Sequence, residues 1–108
     1  MGEVTQVSTT TVTVDGLVRE HATAVAYIAD EPAPATTLAE FTRQLVYAAD
    51  RCDTAGIAGS GDLTAAVRLL LEGAAETGSA VKGKLLLRAA VLLRIVPEMA
   101  DEYRDMVG

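Results

Sequence analysis

The 108-residue chain contains no tryptophan, one cysteine, one histidine, three prolines and four aromatic residues. A single cysteine cannot close an internal disulfide, so nothing marks the chain as a stapled secreted domain. One histidine with one cysteine does not complete the three or four ligands that zinc takes, and the Glu-x-x-His pairs of a di-iron bundle are missing. Tyr27, Phe41, Tyr47 and Tyr103 are scattered, with no cluster among bases, so single-stranded nucleic acid has no stacking platform. Bases are scarce as well. Nine stand against fifteen acids, and the resulting net charge of -6 repels phosphate backbones and acidic membrane surfaces. Long apolar runs are absent: Leu85 to Val96 is interrupted by Arg88 and Arg94 and falls far short of the roughly 20 residues of a membrane span. Glu3 and a threonine-rich run occupy the place where a secretory signal needs bases and then an apolar stretch. The expectation is a cytoplasmic protein with neither a nucleic-acid nor a membrane partner.

What is present is an apolar fraction of 50%, enough for one modest core in a single domain spanning residues 1–108. Nineteen alanines and seven arginines against two lysines suggest a high-GC bacterial or phage genome.

Residues 4–14 carry no charge, and the run from Thr9 to Val14 is β-branched, which predicts an extended segment. Residues 1–16 then form an extended N-terminal arm. Asp15-Gly16 suits a hairpin turn or a helix lead-in. Periodicity decides for a helix over about 17–30, because Arg19, Glu20, Thr23, Tyr27 and Asp30 share one side of a 3.6-residue wheel. Pro32 and Pro34 end it. Thr37 followed by Glu40 fits a capping box, and Leu38, Phe41, Leu45, Ala48 and Cys52 recur at helical steps, predicting a second helix over about 37–53. Gly56, Gly59 and Gly61 break the pattern. Asp62 is the expected cap of a third helix with Leu63, Ala66, Val67, Leu70 and Ala74 inward. Ser79 is the expected cap of a fourth segment, about 80–107, in which Pro97 either kinks one helix or starts another. The fold class is therefore mainly α, about four helices in a small bundle preceded by an extended segment.

The chemistry-bearing residues are sparse. Gly56 to Asp62 precedes a helix, but a phosphate loop would end in Lys-Ser or Lys-Thr where Asp62 stands. His21 lies on the apolar side of the first helix and Cys52 on that of the second. A nucleophile pair would need Cys52 exposed with its pKa lowered, whereas apolar stripes favour a core imidazole and a core thiol. Glu98, Asp101, Glu102 and Asp105 form an acidic ladder, preceded by a basic stretch of Lys82, Lys84, Arg88 and Arg94 with no acid between Thr77 and Pro97. The main apolar side of the last segment contains Leu85, Ala89, Leu92, Val96, Met99 and Tyr103. Leu87, Val91 and Ile95 make a second ridge, and a helix apolar on two sides is buried on two sides.

These features point to a non-catalytic helical interaction or assembly protein, with Leu87, Val91 and Ile95 as its homo-oligomeric contact. No catalytic, metal or cofactor residue is expected. Two other functions are compatible with the composition: a ligand-binding or enzymatic bundle using His21 and Cys52, and an acidic inhibitor or antitoxin-like regulator of a basic partner.

Overall fold

The structure is a computed structural model, and residues 11–107 are described. Five helices follow one another: α1 Val14–Ala29, α2 Leu38–Ala55, α3 Ser60–Ala75, α4 Ser79–Leu93 and α5 Val96–Val107. The chain is a mainly α bundle, with no strand among the described residues. Most of the expected extended segment lies outside those residues. Its end is corrected, because Val14 already belongs to α1 and Thr13, extended at φ -120° and ψ 157°, is the helix cap. The Thr13 hydroxyl accepts the Gly16 amide at 3.0 Å and satisfies one of the free donors of the first turn.

α1 and α2 end alike. At α1, Asp30 adopts φ 60° while the amides of Asp30 and Glu31 return to the carbonyls of Tyr27 and Ala26. At α2, Gly56 takes φ 78° while the amides of Gly56 and Ile57 return to Asp53 and Cys52. Both closures satisfy carbonyls of the last turn, and the second buries Ile57 inside the glycine-rich loop. Thr37 caps α2 as expected, its hydroxyl accepting the Glu40 amide at 3.2 Å. The Glu40 carboxylate, however, accepts from the Thr36 amide at 2.9 Å and the Thr36 hydroxyl at 3.2 Å instead of reaching back to Thr37. Those two bonds, the amide first, hold its pKa below the ordinary value.

Two further caps differ from expectation. Gly59, at φ 111°, occupies the N-cap of α3, leaving Asp62 in the first turn. The left-handed backbone favours glycine there, and a Cβ at Gly59 would come within 2.9 Å of Ile95 Cδ1 and 3.0 Å of Met99 Sδ, so those side chains would have to shift. Gly78 caps α4, with Ser79 its first residue. Pro97 resolves to a new helix: the chain turns at Arg94 and Ile95, and α5 starts at Val96. In the first turn the missing proline N–H leaves no intrahelical bond unmade.

α3 packs chiefly on α4 and also on α2, α1 packs on α2, and α5 closes against α1. Phe41, Ile28, Leu45, Leu63, Leu70 and Leu93 are among the fully buried side chains. Gly73 lets α4 approach α3, since a Cβ there would lie 2.8 Å from Leu86 Cδ2. Lys82 Nζ donates to the carbonyls of Gly73 and Ala74 at 2.9 and 3.4 Å, completing the end of α3. No described helix is long and apolar enough to cross a membrane.

Candidate interaction surface

α4 leaves Val81, Leu87 and Val91 in water, as α2 leaves Val46 and Tyr47 and α3 leaves Leu71. The buried residues of α4 are Leu86, Ala89 and Leu93, which face the core. Of the side expected to be its main apolar face, Ala89 is buried and Leu85 and Leu92 are half-buried, so the true inward line is rotated toward Leu86 and Leu93. Leu87 and Val91 remain 53% and 47% exposed, on the side away from that line. Ile95, the third residue of the expected ridge, is partly buried and packs toward Gly59. The ridge therefore comprises two open side chains and one that leans into the subunit. Beside it runs an open groove of about 340 Å³, lined by Leu69, Leu87, Arg88, Val91 and Leu92.

The charged side chains of α4 itself are all basic. Lys84, Arg88 and Arg94 are exposed along α4, and none has an ion-pair partner among the described residues. The acidic ladder lies elsewhere, because α5 departs from α4 to pack on α1. Glu98, Asp101, Glu102 and Asp105 are all exposed, and Arg104 pairs with Asp101 at 2.8 Å. They sit on a solvated helix face.

A larger cleft of about 660 Å³ opens where α1, α2 and α5 meet, with Tyr47, Asp50, Arg51 and Tyr103 among its walls. Its central cation is already engaged. Arg51 donates through Nε to the Ala29 carbonyl at 3.2 Å, pairs with Asp30 at 3.5 Å and reaches the Tyr103 hydroxyl at 3.5 Å. Tyr103 meets Tyr27 edge-on at 6.0 Å, and the Arg104 guanidinium lies 5.4 Å from the centre of the Tyr27 ring. The polar groups of this cleft hold three helices together. A third groove, of about 440 Å³, lies between residues 11–15 and α4, where Gly83 and Leu86 form part of its wall.

Neither His21 nor Cys52 lines any of these three clefts. His21 is 8% exposed on the inward side of α1, with the Glu20 carboxylate 3.9 Å from its Nε2. Burial lowers its pKa, an effect that Glu20 partly offsets. Cys52 is fully buried, and burial, reinforced by the negative charge of Glu102, raises the pKa of its thiol. A buried thiol held neutral is a small core hydrophobe, not an activated nucleophile. No group of three or more potential metal ligands occurs among the described residues. Comparison with protein-family models, with curated proteins and with solved structures finds no match.

Proposed function

We propose that the chain is a non-catalytic assembly protein that associates with copies of itself through the outer face of α4. The observation that carries this reading is the pair Leu87 and Val91, large apolar side chains exposed side by side on a helix whose inward face is already filled. Single exposed apolar residues are ordinary on a monomer, whereas neighbouring ones continuous with an apolar groove mark a contact surface.

Magnitudes set the strength of the association. Full burial of one such side chain is worth roughly 1.5–3 kcal/mol. Leu87 and Val91 are already half-covered, so withdrawing the remainder in both copies gains about 3–6 kcal/mol. Association costs at least about 4 kcal/mol in lost freedom. The ridge alone gives at most a weak contact. Leu69, Leu92 and the alkyl stems of Lys84 and Arg88 must join it for a dissociation constant near the micromolar range.

Mass measured by light scattering across a concentration series tests the proposal. Wild-type protein is expected to move from monomer to dimer as concentration rises. Val91→Glu, which places a charge in the exposed ridge, is expected to stay folded and monomeric throughout. A wild-type chain that is monomeric at millimolar concentration overturns the reading. A Val91→Glu chain that unfolds outright also overturns it, since that outcome assigns the ridge to the subunit's own core.

A further inference from the structure

We infer that the joint between α4 and α5 is a two-position hinge and that Pro97 is the residue that keeps α5 on its own subunit. In the second position α4 and α5 run on as one helix, and α5 fills the same seat on a second copy of the chain. This exchange makes no use of the outer face of α4.

α5 is held by residues remote from α4 in the chain. It packs chiefly on α1 and also on α2. Val96, Met99 and Ala100 are buried, and Met99 approaches Gly59 in the loop between α2 and α3. Tyr103 meets Tyr27 edge-on at 6.0 Å, and its hydroxyl accepts from Arg51 at 3.5 Å. α1, α2 and the glycine loop therefore form a seat that α5 of either chain fills with the same contacts. Exchange of an identical element between two copies gives up none of them.

The joint itself is close to helical. Only Arg94 and Ile95 separate the two helices, and no glycine stands between them. Arg94 keeps right-handed angles, φ -60° and ψ -23°, and neither residue takes a left-handed φ. A change at one or two residues is enough to run α4 into α5. Joints this short are the ones that open into a continuous element when two copies exchange.

Pro97 sets the balance between the two positions. In the bent form it stands in the first turn of α5, where its missing N–H leaves no intrahelical bond unmade, and the Met99 amide bonds back to the Ile95 carbonyl at 3.0 Å. In a continuous helix residue 97 becomes an interior position whose amide must donate to the Leu93 carbonyl. Proline has no such donor, and its ring collides with that carbonyl. The penalty falls on the straight form alone and disfavours it on the order of a hundredfold. Pro97 is exposed, so the core does not call for its ring.

Chains carrying Tyr27→Cys and chains carrying Tyr103→Cys, mixed, unfolded and refolded together at high concentration, read the exchange. Cys52 stays in place because it is buried. The mixture is diluted before a bis-maleimide is added, so that the reagent joins the two cysteines only where α5 of one chain sits on α1 of the other. With Pro97 in place little covalent dimer is expected. With Pro97→Ala in both chains the ratio of exchanged to unexchanged protein is expected to rise about a hundredfold. A Gly-Gly insertion after Ile95, which interrupts the continuous helix, is expected to reverse that rise. Equal joining with and without Pro97→Ala overturns the hinge, as does joining that survives the insertion. Pro97→Gln is expected to behave as Pro97→Ala. Failure of both variants to fold also overturns it, because Pro97 is then needed for the bent fold itself. Val91→Glu is expected to leave the exchange unchanged, so the hinge and the association proposed for α4 stand or fall separately.

Discussion

α2 and α4 are of similar length and lie in the same bundle, yet they hold the charges of their outer sides differently. α2 has an inward stripe, Phe41, Leu45, Ala48 and Cys52, flanked by the buried Gln44, and polar contacts hold part of the helix while Val46 and Tyr47 stay 50% and 46% exposed. Arg43 pairs with Glu31 at 3.4 Å and lies 5.6 Å from the centre of the Tyr47 ring, and Gln44 Nε2 donates to the Ala33 carbonyl at 3.1 Å. α4 has an inward line just as well buried, but its outer side carries Leu87 and Val91 with the unpaired Lys84 and Arg88 beside them. The contrast lies in the charges: Arg43 and Arg51 of α2 are paired within the subunit, whereas Lys84 and Arg88 of α4 have no ion-pair partner among the described residues.

Substitutions that act on one helix and not the other sharpen the contrast. The largest effect is expected from Phe41→Ala, which empties a fully buried site in α2 and should cost about 3–5 kcal/mol in denaturant unfolding. Leu87→Ala in α4 should change the stability of the monomer by no more than about 0.5 kcal/mol while weakening association. Comparable losses in dilute, monomeric samples of the two variants would erase the distinction.

An intermediate effect is expected at Cys52. Cys52→Ala should lower stability by roughly 1–3 kcal/mol without altering the mass of the assembly. The native thiol should react with a thiol reagent only as fast as the chain opens. Rapid modification of the folded protein would mean that this end of α2 is less closed than its packing indicates.

The smallest effect is a pH dependence from His21. Its pKa in the fold is depressed by burial, so below the ordinary value of 6.5 the unfolded chain takes up a proton that the folded chain resists. Stability should therefore fall as pH drops from 7 through 6.5 toward the depressed value, and be independent of this group above that window. Thermal unfolding between pH 7.5 and 5 should show a shallower decline in His21→Gln and a steeper one in Glu20→Gln, which removes the favourable carboxylate. The range stays above the window in which Glu40, with its own lowered pKa, begins to lose its charge. Identical slopes in all three proteins would remove His21 as the cause.

What could be read from the sequence was what neighbouring residues decide. The Thr37 cap, the connector with Pro32 and Pro34, and the inward stripe of α2 are local, and each appears where its pattern placed it. Thr13 reads as part of the extended segment because a β-branched residue suits a strand, and the Gly16 amide 3.0 Å from its hydroxyl makes it the cap of α1 instead. Leu86 and Leu93 escaped notice because α4 is apolar on most sides, so its periodicity does not identify which leucines turn inward. The role of Gly59 depends on Ile95 and Met99, more than thirty residues away, and nothing local announces that approach. Leu87 and Val91 were legible as a second ridge. That Ile95 leaves it for Gly59 was not, since the turn at Arg94 and Ile95 swings the end of the ridge toward α3.

The contact between Tyr27 and Tyr103 joins the first helix to the last across nearly the whole described chain. Such a contact forms late, because the entropy of closing a long loop must be overcome before the aromatic pair and Arg51 contribute anything. The α1–α2 and α3–α4 pairs, each linked by a short connection, can assemble first and leave the docking of α5 as the closing event. The same order run backwards makes α5 the place where the native state opens. Amides of residues 96–107 should exchange with solvent before those of α2, through a partial opening in which Val96 and Met99 leave the core while the remaining helices stay folded.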